Sequence, residues 1–410
     1  MHIIQIRSIH NGCVKALPIV IVALIAGGAA SILAFYYQPQ PEHDIVSGTG
    51  DNSSMLVVFF ENATNLTNNE QDSVYGQVAA WDSSVYVLWQ DSVSGRNYDI
   101  FIKKSSDNGT TFGTPGNLSN NPGFSEHPQL SAFGSSVYAV WADNTPGNRE
   151  VLFARSTDNG TSFENAQNLS NDASDSYNQE MAAFGDNIYV VWADRDEQEN
   201  TSVLFRASND GGATFNETIE ISGQANVGTF PKVAAYGDDV YVTWNVVDDG
   251  LYFAKSSDGG STFGSVTKLG DSSGESQVSA YNNTVYVISG GLDPVEANGL
   301  LFLNSVDGGE TFADPIVIDM EGKFANPTNV EVIADRDVAY VVGQVFSGGN
   351  EEILLMPISG NNATGLVNLS KNEKISECPS IAMAGDNIYV VWEDLTPGNH
   401  EVLYAKGSKI

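Results

Sequence analysis

Positive charge is scarce in this chain: its 410 residues hold 18 Lys and Arg against 51 Asp and Glu, a formal net charge of −33. A surface of that sign repels phosphate backbones and anionic headgroups, which argues against nucleic acid as a partner. Cysteine is almost absent. Cys13 and Cys378 fall on opposite sides of a long apolar run, so they cannot pair, and packing alone must hold the fold. Walker and dinucleotide fingerprints are missing, as are a CxxC pair and HExxH, so phosphate-cradling, thiol-redox and zinc-peptidase chemistry lack their usual signatures. Beyond the N-terminus no stretch has the 3.6-residue periodicity of an amphipathic helix.

One long hydrophobic run is present. Residues 16–37, "ALPIVIVALIAGGAASILAFYY", carry no charge over 22 positions, long enough to cross a bilayer. Arg7 and Lys15 precede it, Glu42 and Asp44 follow it, and every acidic residue lies beyond position 38. The positive-inside tendency then predicts a short cytoplasmic segment over 1–15, a transmembrane signal anchor over 16–37, a linker over 38–54 and an exported body over 55–410. A signal peptide cleaved near Ala26–Ala30 is the alternative, which would make the protein secreted rather than single-pass at the cell membrane. Twelve Asn-x-Ser/Thr sequons suit export, although several sit inside repeated turns where turn chemistry also explains them.

The body repeats itself. "SSDNGTTF" at 105–112 returns as "STDNGTSF" at 156–163, "SNDGGATF" at 208–215, "SSDGGSTF" at 256–263 and "SVDGGETF" at 305–312. A second signature alternates with it: "VYVLW" at 85–89, then related runs beginning at 137, 188, 240, 285, 339 and 388, seven in all. β-rich units of this length point to a propeller. One unit reads as strand "PQLSAFG", strand "SVYAVWAD", polar loop, strand "EVLFARS", turn, and strand "NAQNLS". The last unit stops before its turn, and "ENATNLT" at 61–67 resembles the missing fourth strand. The expected fold is therefore all-β: a seven-bladed propeller of four-stranded antiparallel blades over 55–410, its ring closed by an N-terminal strand, with one N-terminal transmembrane helix. The sixth unit replaces the turn by "MPISGNNATG".

Each residue type in the turn has a local reason: Asp accepts backbone N–H bonds, Gly takes positive φ, and Phe anchors the hairpin between blades. These turns resemble those of the Asp-box, or bacterial neuraminidase repeat, proteins, and the likeness covers about 55–408. The residues that carry it are Ser105, Asp107, Gly109 and Phe112; Ser156, Asp158, Gly160 and Phe163; Ser208, Asp210, Gly212 and Phe215; Ser256, Asp258, Gly260 and Phe263; and Ser305, Asp307, Gly309 and Phe312. The resemblance implies that they are structural and face away from ligand. Sialidases of that family are six-bladed, carry a Phe/Tyr-Arg-Ile-Pro segment, and grip the substrate carboxylate with three arginines. The segment is missing here, and beyond the apolar run the arginines are Arg96, Arg149, Arg155, Arg195, Arg206 and Arg336. A working sialidase is not expected, and no catalytic residue is assigned.

Repetition also sorts the acids. Asp91, Asp143, Asp194 and Asp394 each follow Trp-x, and Asp99, Glu150, Glu352 and Glu401 each follow Asn-x, so both sets read as blade architecture. Bridging of a divalent cation such as Ca2+ by these oxygens is the alternative, with no other metal or cofactor expected. The features that do not repeat are better candidates for a ligand face: Glu126, His127, Tyr177, Arg195, Phe230 and Glu377, all in loops opposite the turns. Cys378 has no evident partner as a nucleophile. The expected function is that of a membrane-tethered module binding a glycan or a surface protein, and the alternative is a divergent glycoside hydrolase using carboxylates of the same face.

Overall fold

The computed structural model describes residues 20–26, 29–35 and 58–409, apart from 94–96, 199, 224–227, 247, 272–273, 291–298, 320–324, 348, 361 and 364. The chain divides into two units, Met1–His43 and Asp44–Ile410. In the first, Val20–Ala26 pairs antiparallel with Ala29–Phe35, from Val20 opposite Phe35 to Ala26 opposite Ala29. The sequence predicts a transmembrane segment over 16–37; the residues of it that are described form this hairpin, and 16–19, 27–28 and 36–37 lie outside the described residues. Among the described residues no helix is long and apolar enough to cross a membrane.

The second unit is an all-β ring of seven blades, each an antiparallel sheet. The blades open with Ser73–Trp81, Ser125–Phe133, Asp175–Phe184, Gly228–Tyr236, Ser276–Tyr281, Ala325–Asp335 and Ser376–Ala384, numbered 1 to 7 below. Second strands carry a Tyr-x-x-Trp signature in five blades, with Ser289 and Gly343 in the Trp place of blades 5 and 6, and are buried on both faces: Val137–Asp143 and Val240–Val246 are buried at every position. That follows from position, because each blade is sandwiched between two others and its middle strand never meets water. Seven apolar clusters fill the ring, each shared by two adjacent blades.

Ring closure occurs as expected and goes further. Thr64–Asn65 pairs with Leu403 and Tyr404, the fourth-strand place of blade 7. Val58–Phe60 pairs with Gly407–Lys409 beyond it, a contact the sequence did not announce. In blade 6 the chain after Asn350–Ser359 turns at once into Asn362–Ala363, then supplies Val367–Asn368, so a tight hairpin replaces the missing turn signature.

All five turns have one geometry. The Ser hydroxyl donates to the Asp carboxylate at 2.6–2.8 Å and accepts the Gly N–H at 2.8–3.0 Å. The Asp then takes the N–H and hydroxyl of the residue four places on at 2.6–2.9 Å. Gly109 has φ +76°, and a Cβ there would lie 1.8 Å from the Tyr404 hydroxyl of the preceding blade. Four of the Phe rings, those of Phe112, Phe215, Phe263 and Phe312, seat edge-on against an aromatic of that preceding blade, as Phe215 does on Phe153 at 5.0 Å. Every turn also hands a backbone N–H to the loop between its own blade's first and second strands, such as Asn108 to Ser83 O at 2.9 Å. The turns therefore pin one end of the ring. Their bonds hold Asp107, Asp210, Asp258 and Asp307 at about 2, below the ordinary 3.8. A depressed carboxyl contributes stability that is full above its ordinary value and lost as pH falls through its folded one. The Thr111 and Thr214 amide resonances should hold their bonded positions at pH 4 and move only toward pH 2.

The Trp-x-Asp acids are also committed to the blades. Trp89, Trp141 and Trp392 donate Nε1–H to Asp91, Asp143 and Asp394 at 3.0–3.1 Å, and Ser73, Ser125 and Ser376 add hydroxyl bonds at 2.8–3.3 Å. Thr145 N and Thr396 N take the other oxygen of Asp143 and Asp394 at 2.7–2.8 Å, so a bridging Ca2+ would have to displace these donors. Trp192 is the exception, its buried Nε1 having no hydrogen-bond partner. Trp141→Phe should therefore cost about 1–3 kcal/mol more than Trp192→Phe in denaturant unfolding, because only the first strips a buried acid of a donor.

Candidate functional site

The first strands line the ring axis, and at six of them the ladder carries a β-bulge. The residues at the bulge have positive φ: Tyr75, His127, Asn178, Phe230, Asn329 and Cys378, all between 45° and 53°. Bulges re-aim side chains, and a non-glycine residue in this region needs surrounding structure to hold it. That support comes from the neighbouring blade. Tyr75 N donates to Glu393 Oε1 at 2.7 Å, His127 N to Gln90 Oε1 at 3.1 Å and Cys378 N to Gln344 Oε1 at 3.3 Å. The backbone device repeats while the side chain on it changes from blade to blade, the pattern expected of a constant scaffold presenting a variable surface.

Together these residues surround an axial cavity of about 410 Å³. Its mouth carries Tyr75, His127 and Phe230; the Tyr75 and His127 rings are 4.4 Å apart, and Tyr75 and Phe230 are 38% and 39% exposed. Deeper lie Gln77, Gln129, Lys232, Gln277 and Glu331, polar residues in register on otherwise apolar strands. Lys232 Nζ pairs with Glu180 Oε2 at 2.9 Å, and Glu331 Oε2 accepts Ile381 N at 3.0 Å. Burial first, and Glu180 next, push the Glu331 carboxyl up to about 7. Burial pushes His127 down, so its imidazole is neutral at neutral pH. Burial, followed by Glu393 and Glu377, pushes the Cys378 thiol up, which keeps it protonated and removes thiolate chemistry.

The candidates from sequence divide between this cavity and its surroundings. His127 and Phe230 line it. Glu377 sits beside the lining residue Cys378 and faces His400 Nδ1 at 3.6 Å. Glu126 is held by Arg149 at 2.8 Å, Tyr177 Oη lies 3.4 Å from Thr201 Oγ1, and Arg195 is exposed at the end of its strand; none of these three lines the cavity. Tyr75, Lys232 and Glu331 were missed. The signal for Lys232 and Glu331 is a polar residue at one fixed place in each first strand, Gln77, Gln129, Glu180, Lys232, Gln277, Glu331 and Ser380, visible only once the units are aligned.

No family model and no curated protein sequence matches the chain. Solved structures do resemble it. A protein of unknown function from Dyadobacter fermentans superposes with a TM-score of 0.53 at 15% identity, over 86% of this chain and 99% of that one. A Trypanosoma rangeli sialidase mutant displaying trans-sialidase activity gives 0.51 at 12%, over 90% of this chain and 59% of that one. The phage phi92 endosialidase gives 0.51 at 12%, over 85% and 69%. The fold is that of the sialidase-like propellers. The chain spans less than two thirds of the trypanosomal sialidase, and at these identities the likeness is one of fold. Among the described residues the cavity wall holds no arginine.

Proposed function

We propose that the ring is an exported recognition module of Asp-box type that seats one neutral or amino-bearing sugar of a surface glycan in its axial cavity, without chemistry. The observation that carries this reading is the cavity's makeup: aromatic rings at the mouth, amides below, and Lys232 already neutralised by Glu180. Aromatic faces stack on the C–H face of a pyranose, and amides with carboxyls satisfy its hydroxyls. An anionic sugar would meet Glu275 and Glu331 with no free cation on the described wall. The apolar segment 16–37 is proposed as the element that directs the chain to the membrane and tethers it there. Glycan-array binding of the detergent-purified chain, run beside release assays on the same sugars, tests the module. Galactose- or glucosamine-terminated glycans should bind intact while sialylated ones fail, and preference for sialosides would overturn the reading.

One observation favours a second reading, glycoside hydrolysis. Glu331 with a carboxyl near neutrality, close to a lysine-paired Glu180, is the contrast between a general acid and an ionised carboxylate that such enzymes use. Sugar release by the wild type, abolished by Glu331→Gln, would establish it in place of the first.

A further inference from the structure

Blade 7 differs from its neighbours at three positions that meet at the rim of the cavity. The residue before the bulge is Glu377, the residue after the second-strand Trp is Glu393, and the residue before the third-strand acid is His400. In blade 2 the corresponding residues are Glu126, Ala142 and Arg149, which form a simple 2.8 Å ion pair. In blade 7 a second carboxylate replaces the alanine and an imidazole replaces the guanidinium. The donor atoms of Glu377, Glu393 and His400 all lie within 4.8 Å of one another.

The nitrogen at the centre of this group faces both carboxylates. His400 Nδ1 is buried without a hydrogen-bond partner, 3.5 Å from Glu393 Oε2 and 3.6 Å from Glu377 Oε1. Protonated, the imidazole pairs with the two carboxylates; neutral, its nitrogen converges with their oxygens as a ligand set. The carboxylate on one side is fixed in place. Glu393 is 4% exposed and its Oε1 accepts Tyr75 N from blade 1, while His400 O accepts Ser73 N of the same blade at 2.9 Å.

We propose that Glu377, Glu393 and His400 form a binding site for a borderline divalent metal ion of the Zn2+ class, at the seam between blades 7 and 1. One imidazole nitrogen with two carboxylates is a donor set for Zn2+, Co2+ or Mn2+, and Ca2+ and Mg2+ prefer all-oxygen shells. An ion there takes the place of the proton between the imidazole and the two carboxylates, and it draws in ligands now 3.5–3.6 Å apart. Because Glu393 also carries Tyr75 N, the metal couples the ring's closing seam to an aromatic at the cavity mouth.

Calorimetric titration of ZnCl2 into the chelator-stripped, detergent-purified full chain tests this, with CaCl2 as comparison. The expected result is one Zn2+ site, at least about 100-fold weaker in His400→Ala and about 10-fold or more weaker in Glu377→Gln, with Ca2+ far weaker than Zn2+. His2, His10, His43 and His127 remain in both variants, so the difference isolates His400. Circular dichroism of the stripped variants establishes that they are folded, and Co2+ loading should give a visible d–d band that His400→Ala loses. Equal Zn2+ affinity in wild type and both variants, or no saturable Zn2+ binding by the wild type, overturns the proposal.

Discussion

Lys232→Met is expected to destabilise the ring by about 2–4 kcal/mol at pH 8 and by clearly less at pH 5. Lys232 and Glu180 are 17% and 14% exposed at the side chain, so their pairing is screened only in part. Removing the ammonium leaves Glu180 without its cation beside a second carboxyl, Glu331. The pH dependence follows from the sign of that group's shift. Its folded value, about 7, lies above the ordinary 4.5. Its contribution is therefore fully present below pH 4.5 and lost as pH rises through 7. Lys232 lowers that value, so its removal carries Glu331 higher still and deepens the loss on the alkaline side. Adding Glu180→Gln to Lys232→Met should restore part of the stability, because a buried pair is harmed most by losing one partner. Urea unfolding of the three proteins at pH 5 and 8 checks the scheme. An identical loss at both values, or no recovery in the double variant, contradicts it.

Phe60→Ala should cost about 3–5 kcal/mol, although Phe60 belongs to a strand of only three residues. Phe60 is 6% exposed and packs with Val58 into the cluster between blades 6 and 7. Its ring occupies the space beside Gly407, where a Cβ would lie 2.8 Å from it. Leu66, a few residues on, enters the cluster between blades 7 and 1. This segment therefore closes two interfaces at once, and weakening it exposes the edge of blade 7. Val306→Ala, at a side chain 73% exposed, should stay within about 0.5 kcal/mol and serves as the comparison. A Phe60→Ala midpoint equal to that of Val306→Ala would show that the ring does not depend on this strand.

Architecture was legible because it is repeated. Seven Tyr-containing runs count the blades, five turns fix one end of the ring, and the likeness of 61–67 to 164–170 exposes the closure. Val58–Phe60 escaped notice because its partner, Gly407–Lys409, has no counterpart in other blades. The site was legible only in outline. His127, Phe230 and Glu377 stood out because they break the repeat, and they do lie in or beside the cavity. Tyr75, Lys232 and Glu331 sit where every blade has some residue, and only the ring brings positions some 50 residues apart onto one axis. Glu393 and His400 look ordinary singly. Their meaning arises because two antiparallel strands fold back on themselves and bring positions seven apart together.

The axial cavity is proposed to seat a neutral or amino-bearing sugar through its aromatic mouth. The most direct measurement is calorimetric titration of galactose- and glucosamine-terminated oligosaccharides, with N-acetylneuraminic acid alongside, into wild type and Phe230→Ala. Phe230 is 39% exposed at the mouth, so its truncation should leave the fold intact. The wild type is expected to bind the first two sugars, Phe230→Ala to bind them at least about 10-fold more weakly, and the acid sugar to give no heat. Equal affinity in both proteins, or binding of N-acetylneuraminic acid in preference to the others, would contradict it.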